Sequence, residues 1–334
     1  MYRQTLVAHS FKMASGEAQL ADMLVKSNST EIIVLESCLY ALILSALLFG
    51  NLITLLVLVL NRLMRTVPNM FVASLAITDL SVGIFASILS FYSGITSHWF
   101  FGDEMCQFQG FISVTLALAS IHTMALMAVN RYFRVVKPAK YRQLFTKKKT
   151  MIMIVTVWIY SMCSPLYYIL SGQKMVYHPF KYFCILQQFE GNRLFEAIKS
   201  VVYIGIPSFV IFFSYSRIFQ TVRNHNLNFN PSNGTRSSVN VEEIKVTHTL
   251  FVIIVCFHIC WVPILAIDLV DIIHGRWISP REVYLAYSFL GTISSAVNPI
   301  ILVLINRKFR RGYLKVLRCS YCRNQRVAPI VIIG

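Results

Sequence analysis

Long stretches without a charged side chain constrain this chain more than any other feature. Residues 37–61, 105–130, 150–173, 200–216, 246–267 and 283–306 contain no Asp, Glu, Lys or Arg, and between Arg65 and Asp103 the only charge is Asp79. A bilayer core about 30 Å thick is crossed by about 20 apolar residues of helix. Seven windows therefore predict seven crossings. One such window also suits a buried helix of a soluble protein, but seven in succession do not. The chain is 56% hydrophobic and 13% charged, against about 25% charged in an ordinary globular domain.

The predicted fold is an all-α, seven-transmembrane helix bundle with spans at roughly 34–60, 68–94, 103–135, 150–171, 194–222, 241–273 and 281–305. After the last span, Arg307-Lys308-Phe309-Arg310-Arg311-Gly312-Tyr313-Leu314 alternates basic and apolar residues, which predicts a short amphipathic helix on the inner leaflet. The expected division is an extracellular N-terminal segment over 1–31, the bundle over 32–305, and the amphipathic helix with a cytoplasmic tail over 306–334.

The net charge of +17 could suggest nucleic acid, but its placement argues for a membrane. Segments 61–67, 131–150, 217–245 and 306–334 share one side and hold 22 of the 31 Lys and Arg with two acids, Glu242 and Glu243. An excess of Lys and Arg marks the cytoplasmic face, so the N-terminus is expected outside, in the plasma membrane. No cleavable signal peptide is visible in residues 1–30. Asn28-Ser29-Thr30 is an outer-side glycosylation sequon.

Polar groups in hydrocarbon are expensive and are functional candidates. Asp79 needs partners at its depth, and Asn51, Ser120, Ser294, Ser295 and Asn298 are the candidates. Such oxygens could hold a small hard cation such as Na⁺, or form a purely structural network. No other cofactor is expected. Arg131, in Asn130-Arg131-Tyr132, ends span three at the face where Glu243 opens span six, so the two could pair; a snorkelling arginine is the alternative. Pro207, Pro263 and Pro299 fall inside spans and can kink them. Phe257 and Trp261 beside Pro263 form a candidate hinge. Cys106 and Cys184 are the outer-face cysteines, so a disulfide is expected. Cys319 and Cys322 follow the amphipathic helix, where palmitoylation and free thiols are both open.

Taken in order, Gly50-Asn51, the Asp79 segment, Trp99, Phe101-Gly102, Cys106, Asn130-Arg131-Tyr132, Trp158, Pro207 with Tyr215, Phe257, Cys260-Trp261-Val262-Pro263 and Asn298-Pro299 resemble the rhodopsin-like (class A) G-protein-coupled receptors over about residues 32–318. The resemblance implies an outward ligand pocket, a sodium site at Asp79 and coupling of heterotrimeric G proteins at the inner face. It assigns switch roles to Asn130, Arg131, Tyr132, Tyr215 and Glu243, and transmission to Phe257, Trp261, Pro263, Asn298 and Pro299. Two departures stand out: Asn130 replaces the commonest acid, and Leu302 stands where a tyrosine is usual.

Residues 130–141 also look similar to melatonin receptors. Ser113 occupies the position of the span-three aspartate of aminergic receptors, and Thr292 that of the retinal-bearing lysine of opsins. The resemblance therefore implies neither an aminergic receptor nor a photopigment. The expected pocket comprises Ser113, Val114, Ala117, Lys199, Tyr203, Leu265, Asp268, Tyr284, Ser288 and Thr292, with Ile264 beside them. A mostly apolar pocket with few polar groups suits a small molecule. The competing classes are a membrane transporter or non-signalling seven-helix protein, and an enzyme. The chain has neither an internal repeat nor a catalytic motif.

Overall fold

A computed structural model describes residues 30–186, 198–199, 201–227 and 241–318, with the side chains of 30, 225–227 and 241–244 excepted. Asn28, the Glu243 side chain, Cys319 and Cys322 lie outside the described residues.

Seven helices are long and apolar enough to cross a bilayer: Glu31–Leu60, Val67–Thr96, Gly102–Val136, Lys147–Leu170, Val201–Asn224, Lys245–His274 and Arg281–Ile305. Span one is α1 (Thr30–Leu60). Span two is α2 (Val67–Val82) and α3 (Ile88–Thr96), joined by a π-helical turn at Gly83–Ser87. Span three is α4 (Gly102–Val136), followed by the short inner helix α5 (Pro138–Leu144). Span four is α6 (Lys147–Leu170). Span five opens with a π-helical turn at Val201–Gly205 and continues as α7 (Ile206–Leu227). Spans six and seven are α8 (Val241–His274) and α9 (Arg281–Ile305), and α10 is Arg307–Leu317.

Local chemistry sets several boundaries. The Thr146 side chain accepts from Lys149 N at 3.3 Å and caps α6. The Asn306 side chain accepts from Lys308 N at 3.0 Å and so separates α9 from α10. Pro165, Pro263 and Pro299 lie inside helices. Pro207 also lies inside its span, directly after the π-helical turn in a helix that runs without a break from Val201, and its missing N–H removes one donor at that turn.

The third span is the most buried of the seven, packing against spans two, four, five and six. Outward residues such as Phe49, Phe212 and Leu304 are largely exposed. In water that would be an aggregation surface, whereas in lipid it is the expected solvent contact. The backbone is closed within helices, as hydrocarbon requires.

Close helix approach at the inner half of span one depends on glycine. A Cβ on Gly50 would lie 2.9 Å from Pro299, and one on Gly312 would lie 2.5 Å from a Val57 methyl. The second contact lets α10 lie flat against span one. There Phe309 is buried, and the Tyr313 hydroxyl donates to Gly50 O at 2.8 Å beside Thr54.

Among the described residues, one departure from helix occurs in the loop between spans four and five. β1 (Met175–His178) and β2 (Phe183–Leu186) form an antiparallel hairpin in which Tyr177 faces Cys184 and His178 faces Phe183. The segment is too short for its alternation to stand out from a polar loop.

Candidate functional site

Beneath the hairpin lies a cavity of about 580 Å³ to which all seven spans contribute, spans three, five, six and seven the most. Its roof is β2, contributing Phe183 to Leu186, and its floor includes Phe257 and Trp261. Of the expected pocket residues, Ser113, Val114, Ala117, Lys199, Tyr203, Leu265, Asp268, Ser288 and Thr292 line it, as does Ile264. Tyr284 does not. It is buried behind the wall, its hydroxyl donating to Asp271 Oδ1 at 2.7 Å. Helical spacing places Tyr284 one turn from Ser288, but the hairpin tip fills the intervening space: His178 packs on the Tyr284 ring with centroids 4.4 Å apart.

The roof is fixed to span three by groups at adjacent positions. Cys106 and Cys184 form a disulfide with Cα atoms 5.4 Å apart. The Gln107 amide clamps β1, accepting from Met175 N and donating to Met175 O, both at 2.8 Å. Gln109 accepts from Cys184 N at 2.9 Å while its Nε2 donates to Ala86 O and Ser90 Oγ at 3.0 and 3.2 Å. Sequence reasoning missed both glutamines. Their only signal was two amides beside a cysteine at a helix mouth.

The hairpin tip reaches the opposite wall. Lys181 is 1% exposed and its Nζ meets Asp268 Oδ1 at 2.9 Å. Ser288 Oγ donates to the Lys181 carbonyl. The Tyr182 hydroxyl accepts from Arg281 at 3.0 Å, and Arg281 is in turn bidentate on Glu36 of span one at 2.9 and 2.6 Å. The tip turn is held by His178, whose Nδ1 accepts from Phe180 N and Lys181 N, both at 3.2 Å. Burial, then the nearby Lys181 charge, pushes the His178 pKa far below its ordinary 6.5. The ring is therefore neutral and free to accept.

Below the cavity, Phe257 and Trp261 stack with centroids 5.4 Å apart. Trp261 Nε1 donates to Ser294 Oγ at 3.2 Å, linking span six to span seven. The Thr292 hydroxyl donates to Ser288 O at 3.0 Å, so Tyr40 of span one donates to Thr292 at 2.9 Å. One step further inward, Asn298 Nδ2 donates to Asp79 Oδ2 at 2.8 Å. Asn51 donates to Leu47 O and Ser295 O at 2.9 and 3.2 Å. Ser120 and Ser295 line the cavity floor. Among the described residues no group of three or more His, Cys, Asp or Glu gathers as a metal site; Asp79 with its neutral oxygen neighbours is a different kind of site.

At the inner face Arg131 is fully buried, with Nη2 donating to Asn130 Oδ1 at 2.8 Å. Asn130 thus supplies a neutral acceptor where an acid would supply charge. Tyr132 lies against Phe133 and Phe213. The Tyr215 hydroxyl is buried without a hydrogen-bond partner among the described residues, its ring 5.0 Å from Phe251. Leu302 is buried in the apolar core.

Seven helices of membrane-crossing length enclose a cavity at one end of the bundle, and a buried arginine lies at the other end. The family model for "7 transmembrane receptor (rhodopsin family)" matches residues 50–302, and the chain belongs to that family. Its relatives include the neuromedin-K receptor of Rattus norvegicus, 30% identical over 86% of this chain and 64% of that protein. The substance-P receptor of Aquarana catesbeiana is 30% identical over 87% and 72%. The melatonin receptor type 1B-B of Danio rerio is 28% identical over 80% and 77%. The chain thus spans a little under two thirds of the length of the neuromedin-K receptors it matches. The likeness to a melatonin receptor stands beside equal or higher likeness to others, so it belongs to the family broadly.

Proposed function

We propose that this chain is a plasma-membrane receptor with its N-terminus outside, which binds an extracellular ligand in the outer cavity and activates heterotrimeric G proteins at its inner face. The observation that carries the reading is the cavity floor: the ligand space ends on Phe257 and Trp261, and Trp261 is bonded to span seven beside the Asp79–Asn298 contact. A ligand that prefers one arrangement of this aromatic pair shifts the population of the whole bundle. A small molecule fits the cavity volume. Thr292 offers no amine for a retinal Schiff base, and Ser113 offers no carboxylate to an amine at span three. Residues 1–31 form the outer segment, glycosylated at Asn28. Residues 306–334 form the inner-leaflet helix and tail, with Cys319 and Cys322 as lipidation sites, and Glu243 restrains Arg131.

Asp79, with Asn51, Ser120, Ser295 and Asn298, is the site for Na⁺ as an allosteric ion. A hard cation suits one carboxylate among neutral oxygens. Asp79→Asn then removes any sodium dependence of agonist affinity, and an unchanged dependence defeats the ion site. The receptor reading is tested by ligand screening with a nucleotide-exchange readout on added G proteins. Substrate flux in vesicles without exchange would replace it with a transporter.

A further inference from the structure

Lys181 is the most unusual buried group outside the transmission path. An ammonium removed from water is costly unless it is closely paired. Here the pairing is elaborate. Nζ sits 2.9 Å from Asp268 Oδ1, 4.0 Å from the Tyr287 ring centroid and 5.3 Å from that of Tyr284. A carboxylate flanked by two aromatic faces is a cage selective for cations. The Tyr287 hydroxyl donates to Asp268 Oδ2 at 2.9 Å and so fixes the carboxylate in place.

The cage faces two ways. Asp268 and Tyr287 line the ligand cavity, and the Asp268 side chain is 24% exposed, against 2% for Lys181. A second carboxylate, Asp271, lies one turn further along span six and is buried. Its Oδ1 takes the Tyr284 hydroxyl, while its Oδ2 has no hydrogen-bond partner among the described residues. A cation arriving through the cavity therefore meets an acidic, aromatic slot that is already filled from behind. Two ammonium groups on one carboxylate repel, so the newcomer binds only by substitution.

We infer that the cage of Asp268, Tyr284 and Tyr287 recognises an alkylammonium group of the ligand, and that Lys181 is its built-in occupant, displaced when the ligand binds. The inference rests on the reading of the outer cavity as the ligand pocket. It relocates cation recognition from span three, where Ser113 is neutral, to span six. Displacement frees the hairpin tip from span six while the disulfide and the two glutamines keep the hairpin on span three.

Lys181→Ala removes three methylenes and the ammonium, which together have the shape of n-propylammonium. The test is thermal unfolding of the purified full chain in detergent, titrated with n-propylammonium chloride and, separately, with n-propanol. The amine is expected to raise the midpoint of Lys181→Ala saturably, because a ligand that binds only the folded state stabilises it. Propanol should not, Lys181→Ala/Asp268→Asn should not respond to the amine, and wild type should respond only at much higher amine concentration, because the tethered Lys181 competes for the cage. No shift in folded Lys181→Ala, or equal shifts in all three proteins, overturns the inference. If Lys181→Ala is too unstable to purify, its surface expression in cells cultured with the amine reads the same binding, and failure of rescue there also overturns it. Neither measurement involves a G protein, so loss of the cage and loss of the receptor reading are separately visible.

Discussion

The outer and inner ends of the bundle are held together by different chemistry. At the outer end, a disulfide, two amide clamps and two ion pairs each join separate elements: the hairpin to span three, the hairpin to span six, and span one to span seven. At the inner end, Arg131 leans on the neutral Asn130 amide, Leu302 packs in the apolar core where a polar hydroxyl would reach for partners, and α10 is anchored by Tyr313 and Phe309. Cross-links between elements fix relative position, whereas apolar contacts tolerate sliding of one packed surface over another. The contrast teaches that the hairpin end of the bundle is held by covalent and ionic cross-links between elements, and the described contacts at the other end are mainly apolar packing.

The largest expected effect breaks the outer brace itself. Cys106→Ser should cost about 2–5 kcal/mol, read as reduced surface expression and a lower midpoint of thermal unfolding; wild-type behaviour would mean the hairpin is held without the disulfide. Gln109→Leu strands the buried Cys184 amide and removes the bonds to the Ala86 carbonyl and the Ser90 hydroxyl. With each buried group left unsatisfied costing about 1–3 kcal/mol, a loss of at least one such increment is expected in denaturation of the purified protein. An unchanged midpoint would show that the disulfide alone carries the roof.

A pH titration sharpens the comparison further. His178 is neutral in the folded protein, with its pKa lowered by burial and by Lys181. Its contribution is fully present above the ordinary 6.5 and falls as acidification protonates the unfolded chain but not the folded one. The slope is about 1.4 kcal/mol per pH unit for one proton. Stability of wild type should decline between pH 6.5 and 5 with one proton more dependence than that of His178→Asn, and parallel curves would remove His178 from the turn. The smallest effect is expected at Arg281 and Glu36, a partly exposed pair worth about 1 kcal/mol or less. A double-mutant cycle with Arg281→Met and Glu36→Gln measures it, and a coupling well above that would make span one an equal partner in the brace.

Reading the chain alone found the nine cavity residues that face inward on their own helices, because inward orientation follows from helical period. It placed Tyr284 among them for the same reason, and was overruled by a hairpin tip more than a hundred residues earlier. Lys181, Gln107 and Gln109 were invisible for the complementary reason: their partners, Asp268, Met175 and Cys184, lie 68 to 87 residues away. No local pattern marks them.

The sequence by itself determined that this chain crosses the membrane seven times, since the cost of placing charge in hydrocarbon is paid residue by residue and is written in each window. It determined the pairing of Cys106 with Cys184 as the available outer cysteines, and the amphipathic helix after span seven. Only the tertiary structure decided that the loop between spans four and five is a strand hairpin roofing the cavity, that a lysine fills the acidic slot in its wall, and that Gln107 and Gln109 tie that hairpin to span three. Those outcomes depend on which surfaces meet, and contact between distant segments is set by packing of the whole bundle rather than by any stretch of it.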